Sequence, residues 1–420
     1  MIQKNRKILV YADWIGLPNT KLIGFLMCNL LRGKEVFSFE YASSWLQYPF
    51  GHNLDPDLQF FGGQQYLSGD KPNFGLFLDS SPDRWGRVLM RRREAIMSRK
   101  EGRKSDILFE TDYLLGVYDE NRMGGLRFKT EADGLFLSHE KQLAAPAWAM
   151  LRDLEYASLQ LEREEYKHDD EELKWLNMLM APGSSLGGAR PKASVTDLNG
   201  ELWIAKFPSK NDTYDVGAWE MVVHQLAKDS GLHVAPAQLI KFSGRHHTFL
   251  TKRFDRLNGR QRIHFASAMT LLGHQDGSDH HAGTSYLDLV SLIQQKGCEV
   301  NENLKELWRR IAFNVIVKNT DDHLRNHGFL LSDAGWALSP AYDMNAVPSG
   351  TGLTLNISDE DNSLDMDLVM SVAPYFRLNS KEARKIWDHI KKVASNWRNV
   401  ATNYKISRHE QLQMEPAFLV

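Results

Sequence analysis

The stretch that most constrains the fold is Asn319-Thr-Asp-Asp-His-Leu-Arg-Asn-His327, together with the apolar runs on its C-terminal side. The first run, from Gly328 to Leu331, leads into the turn Ser332-Asp333-Ala334-Gly335. A second run from Trp336 to Leu338 leads on to Asp343. Apolar runs on either side of a glycine-containing turn predict a β-hairpin. Asp321 stands five residues before Asn326, so the chain offers a polar loop, then a hairpin, then one further carboxylate.

Those residue types in that order suit phosphoryl transfer, which asks mainly for positioning and charge neutralisation. One carboxylate must sit near the accepting hydroxyl, and Asp321 fits that task. Hard oxygen ligands must hold magnesium on the phosphates, and Asn326 and Asp343 fit that one. The same residue types also favour turns and helix caps, so it is the combination of three, in this order, that favours the chemical reading.

The chain has 420 residues, enough for two or three structural units. A formal charge of −2 gives no overall electrostatic attraction to nucleic acid. The two cysteines, Cys28 and Cys298, match neither a disulfide framework nor a zinc motif. His246-His247 and Asp279-His280-His281 lack a spacing that singles out a metal. The start of the chain lacks a signal-peptide core, and no run of about 18 apolar residues predicts a membrane span. The expected location is cytoplasmic.

Residues 1 to about 105 read as a β-rich unit with a helical end. Ile8 to Ala12 and Glu35 to Tyr41 are strand-like, and Gly16 to Gly24 leads towards a third strand. A helix is expected from Pro82, capped by Ser81 and ending near Gly102. It carries many arginines, which predict an ion-paired solvated face in preference to a nucleic-acid surface. A strand pair around Met123 to Phe128 precedes helices over Leu151–Leu161 and Leu173–Leu179. Further on, Asn303 to Glu306 looks like a capping box opening the helix that ends at the polar loop.

The second informative stretch is Ser184-Ser-Leu-Gly-Gly-Ala-Arg-Pro-Lys192. Gly187 and Gly188 let backbone approach a ligand closely, while Arg190 and Lys192 supply positive charge where a phosphate would lie. Asn199-Gly200 predicts a hairpin that places Lys206 on the strand after this loop. That is where a kinase holds its phosphate-gripping lysine. An edge-strand charge is the alternative for Lys206. The helix from Val216 to Lys228 turns Trp219, Val222, Val223 and Leu226 inward and lets Glu220 approach Lys206.

Together, Ser184–Lys192, Leu202–Lys206, Lys252-Arg-Phe-Asp-Arg256, Asn319–Asn326 and Pro340-Ala-Tyr-Asp343 resemble the HipA-like serine/threonine kinase toxins of bacterial toxin–antitoxin systems. The resemblance implies an α+β, two-lobed protein-kinase-like fold. Its expected parts are an N-terminal β-rich coupling subdomain over residues 1–105, a nucleotide-binding lobe over 106–258 and a mostly helical lobe over 259–420. It implies ATP and Mg2+ as cofactors, with Asp321 as catalytic base, His323 within the same loop, and Asn326 and Asp343 on the metal. Lys206, Ser185, Gly187, Gly188, Ala189, Arg190, Lys192, Arg253, Phe254 and Asp255 would line the nucleotide. Ser185, or its neighbour Ser184, would be the autophosphorylated residue. The implied partner is a small helix-turn-helix antitoxin, with DNA reached only through that complex, and no membrane. The implied substrate is a translation-linked protein such as glutamyl-tRNA synthetase. Two positions depart from the family pattern: Lys252 stands where glutamate is common, and the loop reads Gly-Gly-Ala-Arg-Pro-Lys instead of Gly-Ala-Gln-Glu-Lys. A small-molecule kinase and a kinase-like, DNA-bound co-repressor are the competing functions.

Overall fold

In the computed structural model, residues 5–48, 53–67, 69–163, 169–180, 190–242 and 244–420 are described. The chain packs as two units. The first takes residues 1–205 and 255–266, and the second takes 206–254 and 267–420. The sheet of the first unit draws on chain from both sides of residue 105.

That sheet has the order β4-β3-β2-β1-β5. Its strands are β1 (Asn5–Ala12), β2 (Lys21–Leu31), β3 (Lys34–Tyr41), β4 (Gln64–Tyr66) and β5 (Leu126–Lys129). Alternation drives them: Ile8, Val10 and Ala12 from β1 and Phe37, Phe39 and Tyr41 from β3 are all buried. The residues expected to form a local strand pair near Met123–Phe128 instead give β5, which pairs antiparallel with β1 from Leu9↔Lys129 to Ala12↔Leu126. The chain beyond residue 105 is thereby tied into the N-terminal sheet.

Asp83, not Ser81, caps the arginine-rich helix Arg84–Lys100, its carboxylate accepting from Gly86 N at 2.9 Å. Three of its arginines are ion-paired, Arg87 with Glu110, Arg93 with Glu140 and Arg99 with Asp169, and Arg103 beyond its end pairs with Glu94. Helices Leu151–Arg163 and Asp169–Leu179 follow, then β6 (Lys192–Thr196) and β7 (Leu202–Lys206) around Gly200, whose φ of 78° suits the turn.

The second unit is mostly helical. Helix Val216–Asp229 buries Val222, Val223 and Leu226 completely, which stabilises it by roughly 1.5–3 kcal/mol per side chain. Its Trp219 packs on Trp397, which in turn stacks on Phe418 at 4.5 Å. Asp215 caps the helix by accepting from Ala218 N at 3.1 Å, and the same carboxylate binds the His247 ring at 2.5 Å. The long helix runs Val300–Ile316, starting three residues before the expected capping box. Asn303 lies inside it, and its side chain joins Cys298 O at 2.6 Å to Leu338 N at 2.8 Å. The expected hairpin is present as Gly328–Ser332 paired with Gly335–Leu338. Among the described residues, no helix is long and apolar enough to cross a membrane.

Candidate active site

Lys206 ends β7 with its side chain almost fully buried, where an unpaired ammonium would be strongly disfavoured. Its Nζ meets Glu220 Oε1 at 2.5 Å and Asp343 Oδ1 at 2.5 Å. Burial works against the charged form, but Asp343 and Glu220 outweigh it and hold the ammonium above its ordinary pKa. Glu220 reaches Lys206 because it occupies the face of Val216–Asp229 expected from the helical spacing, and it too is buried. One ammonium against two carboxylates leaves this trio with an excess of negative charge.

Asp343 follows the hairpin in a left-handed backbone conformation, φ 55°. Asp tolerates that region better than most residues do, and such positions cluster at functional sites. Its carboxylate keeps 21% exposure, against 5% for Glu220. Asp343 is therefore the member of the trio that faces solvent.

Asp321 lies on the open side of the loop. Partial burial raises its pKa above the ordinary carboxylate value, His323 pulls it down, and the charges of Asp343 and Asp322 push it further up. The Asn326 Nδ2 donates to Asp321 O at 2.9 Å, whereas the Asn326 Oδ1 is buried and has no hydrogen-bond partner among the described residues. A buried carbonyl oxygen without a donor is costly, and a cation is the natural way to satisfy it.

The sequence did not reveal what holds this loop in place. Asp322, next to the candidate base, is fully buried. It accepts from Tyr286 Oη at 2.6 Å and Asn314 Nδ2 at 2.7 Å, and it meets His327 Nε2 at 2.8 Å. Burial alone would raise its pKa, but these partners hold it below the usual carboxylate value. Asn319 donates to Asn314 Oδ1 at 3.0 Å and accepts from Asn345 N at 3.0 Å, joining the loop to the segment that carries Asp343. Thr354, in the polar segment after the hairpin, bonds Thr320 O through both N at 3.0 Å and Oγ1 at 2.8 Å. The only signal in the sequence was that Asp321 and Asp322 are adjacent. Such neighbours point in different directions, so one can face solvent while the other anchors the loop.

The remaining expected nucleotide residues divide. Ser184, Ser185, Gly187, Gly188 and Ala189 lie outside the described residues. Arg190 is half-buried. The Lys192 ammonium is buried and bonded to Asp83 Oδ2 at 2.8 Å. Asp255 accepts from Gly124 N at 2.8 Å and Arg256 Nη1 at 2.6 Å, with its own carbonyl bonded to Ile263 N. Arg253 is buried, and Phe254 packs against Tyr342 with ring centroids 5.5 Å apart. Tyr342 donates to Arg325 O at 2.7 Å, which carries this aromatic contact back to the loop of Asp321.

The HipA-like C-terminal domain model matches residues 184–397, about half of the chain. The chain belongs to the HipA-like family. Its match to a putative kinase, Y4mE, of Sinorhizobium fredii is 26% identical over 38% of this chain and 41% of that protein. Its match to the serine/threonine-protein kinase toxin HipA of Shewanella oneidensis is 28% identical over 30% of this chain and 33% of that one. A toxin of Escherichia coli, YjjJ, is 24% identical over 39% of this chain and 38% of its own. The matched segment thus spans less than half the length of each of these relatives. Among solved structures, HipA in the Shewanella oneidensis complex of HipA, HipB and operator DNA aligns with a TM-score of 0.63 and 18% identity. That alignment covers 98% of this HipA-like chain and 94% of the other. The likeness establishes a shared fold. Lys206, Glu220, Asp321, Asn326 and Asp343 all fall inside the family-matched segment.

Proposed function

We propose that this HipA-like chain is an ATP-dependent serine/threonine protein kinase acting as the toxin of a toxin–antitoxin pair. The observation that carries the reading is Lys206 held between Glu220 and Asp343 in the same unit as the loop of Asp321 and Asn326. In phosphoryl transfer a buried lysine fixed by a helix glutamate grips the nucleotide phosphates, and the acidic loop positions the acceptor. Here Glu220 orients the Lys206 ammonium towards them. Asp321, with its raised pKa, accepts the proton of the substrate hydroxyl at its carboxylate. Asp322, Asn319 and Thr354 keep that carboxylate from drifting.

The donor set fits magnesium: Asp343 offers a partly exposed carboxylate and Asn326 an unpartnered buried oxygen, both hard ligands. Bound there, the ion supplies charge neutralisation of the phosphates. Of the residues first assigned to the nucleotide, Lys206, Arg190, Arg253 and Phe254 remain in the proposal, together with the loop Ser185, Gly187, Gly188 and Ala189. Ser185, or Ser184, is the proposed autophosphorylation site, since a phosphate there would compete with ATP for Arg190. The substrate is a translation-linked protein. The partner is a small DNA-binding antitoxin, supported by the HipA relative that is found with HipB and operator DNA.

Expression of the chain without a partner tests this. The wild type should arrest growth and Asp321→Ala should not, because an exposed loop carboxylate contributes little to stability. Equal growth of the two at equal expression would instead favour a DNA-bound co-repressor.

A further inference from the structure

The first unit contains a cleft of about 430 Å³ that includes none of the candidate kinase residues and whose lining includes Arg127, Arg256, Arg260 and Arg262. Arg262 is the informative member. Its side chain is only 7% exposed, and Nη2 donates to Asp119 O at 2.8 Å, but Nη1 is buried and has no hydrogen-bond partner among the described residues. A guanidinium has five donors and no acceptor, so an unused Nη1 on a residue that lines the cleft calls for an acceptor, which an anion best supplies.

The charges around it sharpen that demand. Asp119 is shared: Arg127 Nε donates to it at 2.9 Å, Arg262 approaches it at 3.4 Å, and Arg122 feels its charge from a fully buried position. Arg122 Nη1 and Nη2 donate to the carbonyls of Ser80, Val117 and Leu137. Burial pushes the Arg122 pKa down to about 9, with Asp119 drawing it back up and Arg262 and Arg127 pushing it lower. Asp13 also pairs with Arg127 at 3.0 Å and lies 3.9 Å from Arg262 Nε, so three guanidiniums share two carboxylates, which leaves positive charge in excess beside the cleft. Arg260, exposed on the same wall, has no ion pair among the described residues.

Two acids, Asp13 and Glu120, also line the cleft, and both are more exposed than Arg262. Carboxylates near the outside repel a long polyanion that would have to cross them, yet leave room for a small one that passes between. Gly259 and Gly200 both line the cleft in close approach, since a Cβ on Gly259 would come within 2.4 Å of Gly200 O.

We propose that this cleft is a binding site for a small oxyanion, a phosphate- or carboxylate-bearing metabolite, held by Arg262 Nη1 and Arg260. The site belongs to the first unit alone and is separate from the proposed kinase chemistry. Calorimetric titration of the full chain with inorganic phosphate and with citrate, in the absence of magnesium, tests it. Saturable binding is expected, weakened about tenfold or more in Arg262→Gln and in Arg260→Ala, as for loss of one charge-assisted hydrogen bond. Arg260 is exposed, so its variant decides the matter if Arg262→Gln fails to fold. No binding of either probe, binding of undiminished strength in Arg260→Ala, or binding of a single-stranded oligonucleotide without the small anions would each overturn the proposal.

Discussion

Two buried lysines flank the same hairpin and have opposite surroundings. Lys192, at the start of β6, meets Asp83 at 2.8 Å with both side chains essentially inaccessible. Lys206, at the end of β7, meets Glu220 and Asp343, and Asp343 remains open to solvent. A closed pair of this kind is a staple: it costs desolvation, recovers it by the ion pair, and gains nothing from a ligand. A lysine shared by two carboxylates, one of them accessible, leaves negative charge that a cation can neutralise and an ammonium that phosphates can reach. Burial of a lysine therefore does not distinguish structure from chemistry. The exposure of its acidic neighbours does.

The largest expected effect would separate the two directly. Asp343→Asn should lower phosphate transfer by about 10³ or more, comparable with losing a preorganised charge at a reaction centre, and leave the folded state intact by circular dichroism. Retained transfer would place Asp343 on a par with Asp83.

Next comes Lys192→Met, which strands Asp83 in the interior and should cost about 3–5 kcal/mol of stability in denaturant titration. Lys192→Met combined with Asp83→Leu should recover most of that loss, because an apolar pair can replace a buried ion pair at little cost. A Lys192→Met chain that keeps its stability would remove the distinction between staple and site.

A smaller effect, about 2 kcal/mol, is expected for Asp322→Asn, which weakens the bonds to Tyr286, Asn314 and His327. The folded pKa of Asp322 is lowered, so its stabilisation is present above the unfolded carboxylate value and is lost as pH falls through the folded value. The stability gap between wild type and variant should therefore narrow on acidification, and a gap that widens would contradict the assignment.

The mildest effect concerns the candidate base. With its pKa raised, Asp321 should place the acid limb of the transfer rate above the usual carboxylate range, with rate rising as the carboxyl loses its proton. His323→Gln removes an influence that lowers that pKa and should move the limb to higher pH.

Much of this site was legible because its elements announce themselves locally. The interval from Asp321 to Asn326, the hairpin before Asp343 and the helical phase of Glu220 are short-range patterns, and the structure gathers Lys206, Glu220 and Asp343 into direct contact. The pairings that hold the molecule together were not legible. Asp83 with Lys192, Asp322 with Tyr286, and β5 with β1 join residues far apart in the chain, and nothing in either partner's neighbourhood names the other. Asn303-Leu-Lys-Glu306 misled for a related reason. Asn at an interval of three from Glu is a capping signal only where a helix begins, and here Glu299, with φ 45°, precedes the first turn.

The most direct measurement is transfer of labelled γ-phosphate from ATP to the proteins of a cell extract and to the chain itself, by wild type and by Asp321→Asn, each verified as folded. The account predicts magnesium-dependent label on at least one extract protein and on Ser184 or Ser185 with the wild type, and none with the variant. Equal labelling by both, or no labelling by the folded wild type, would contradict it.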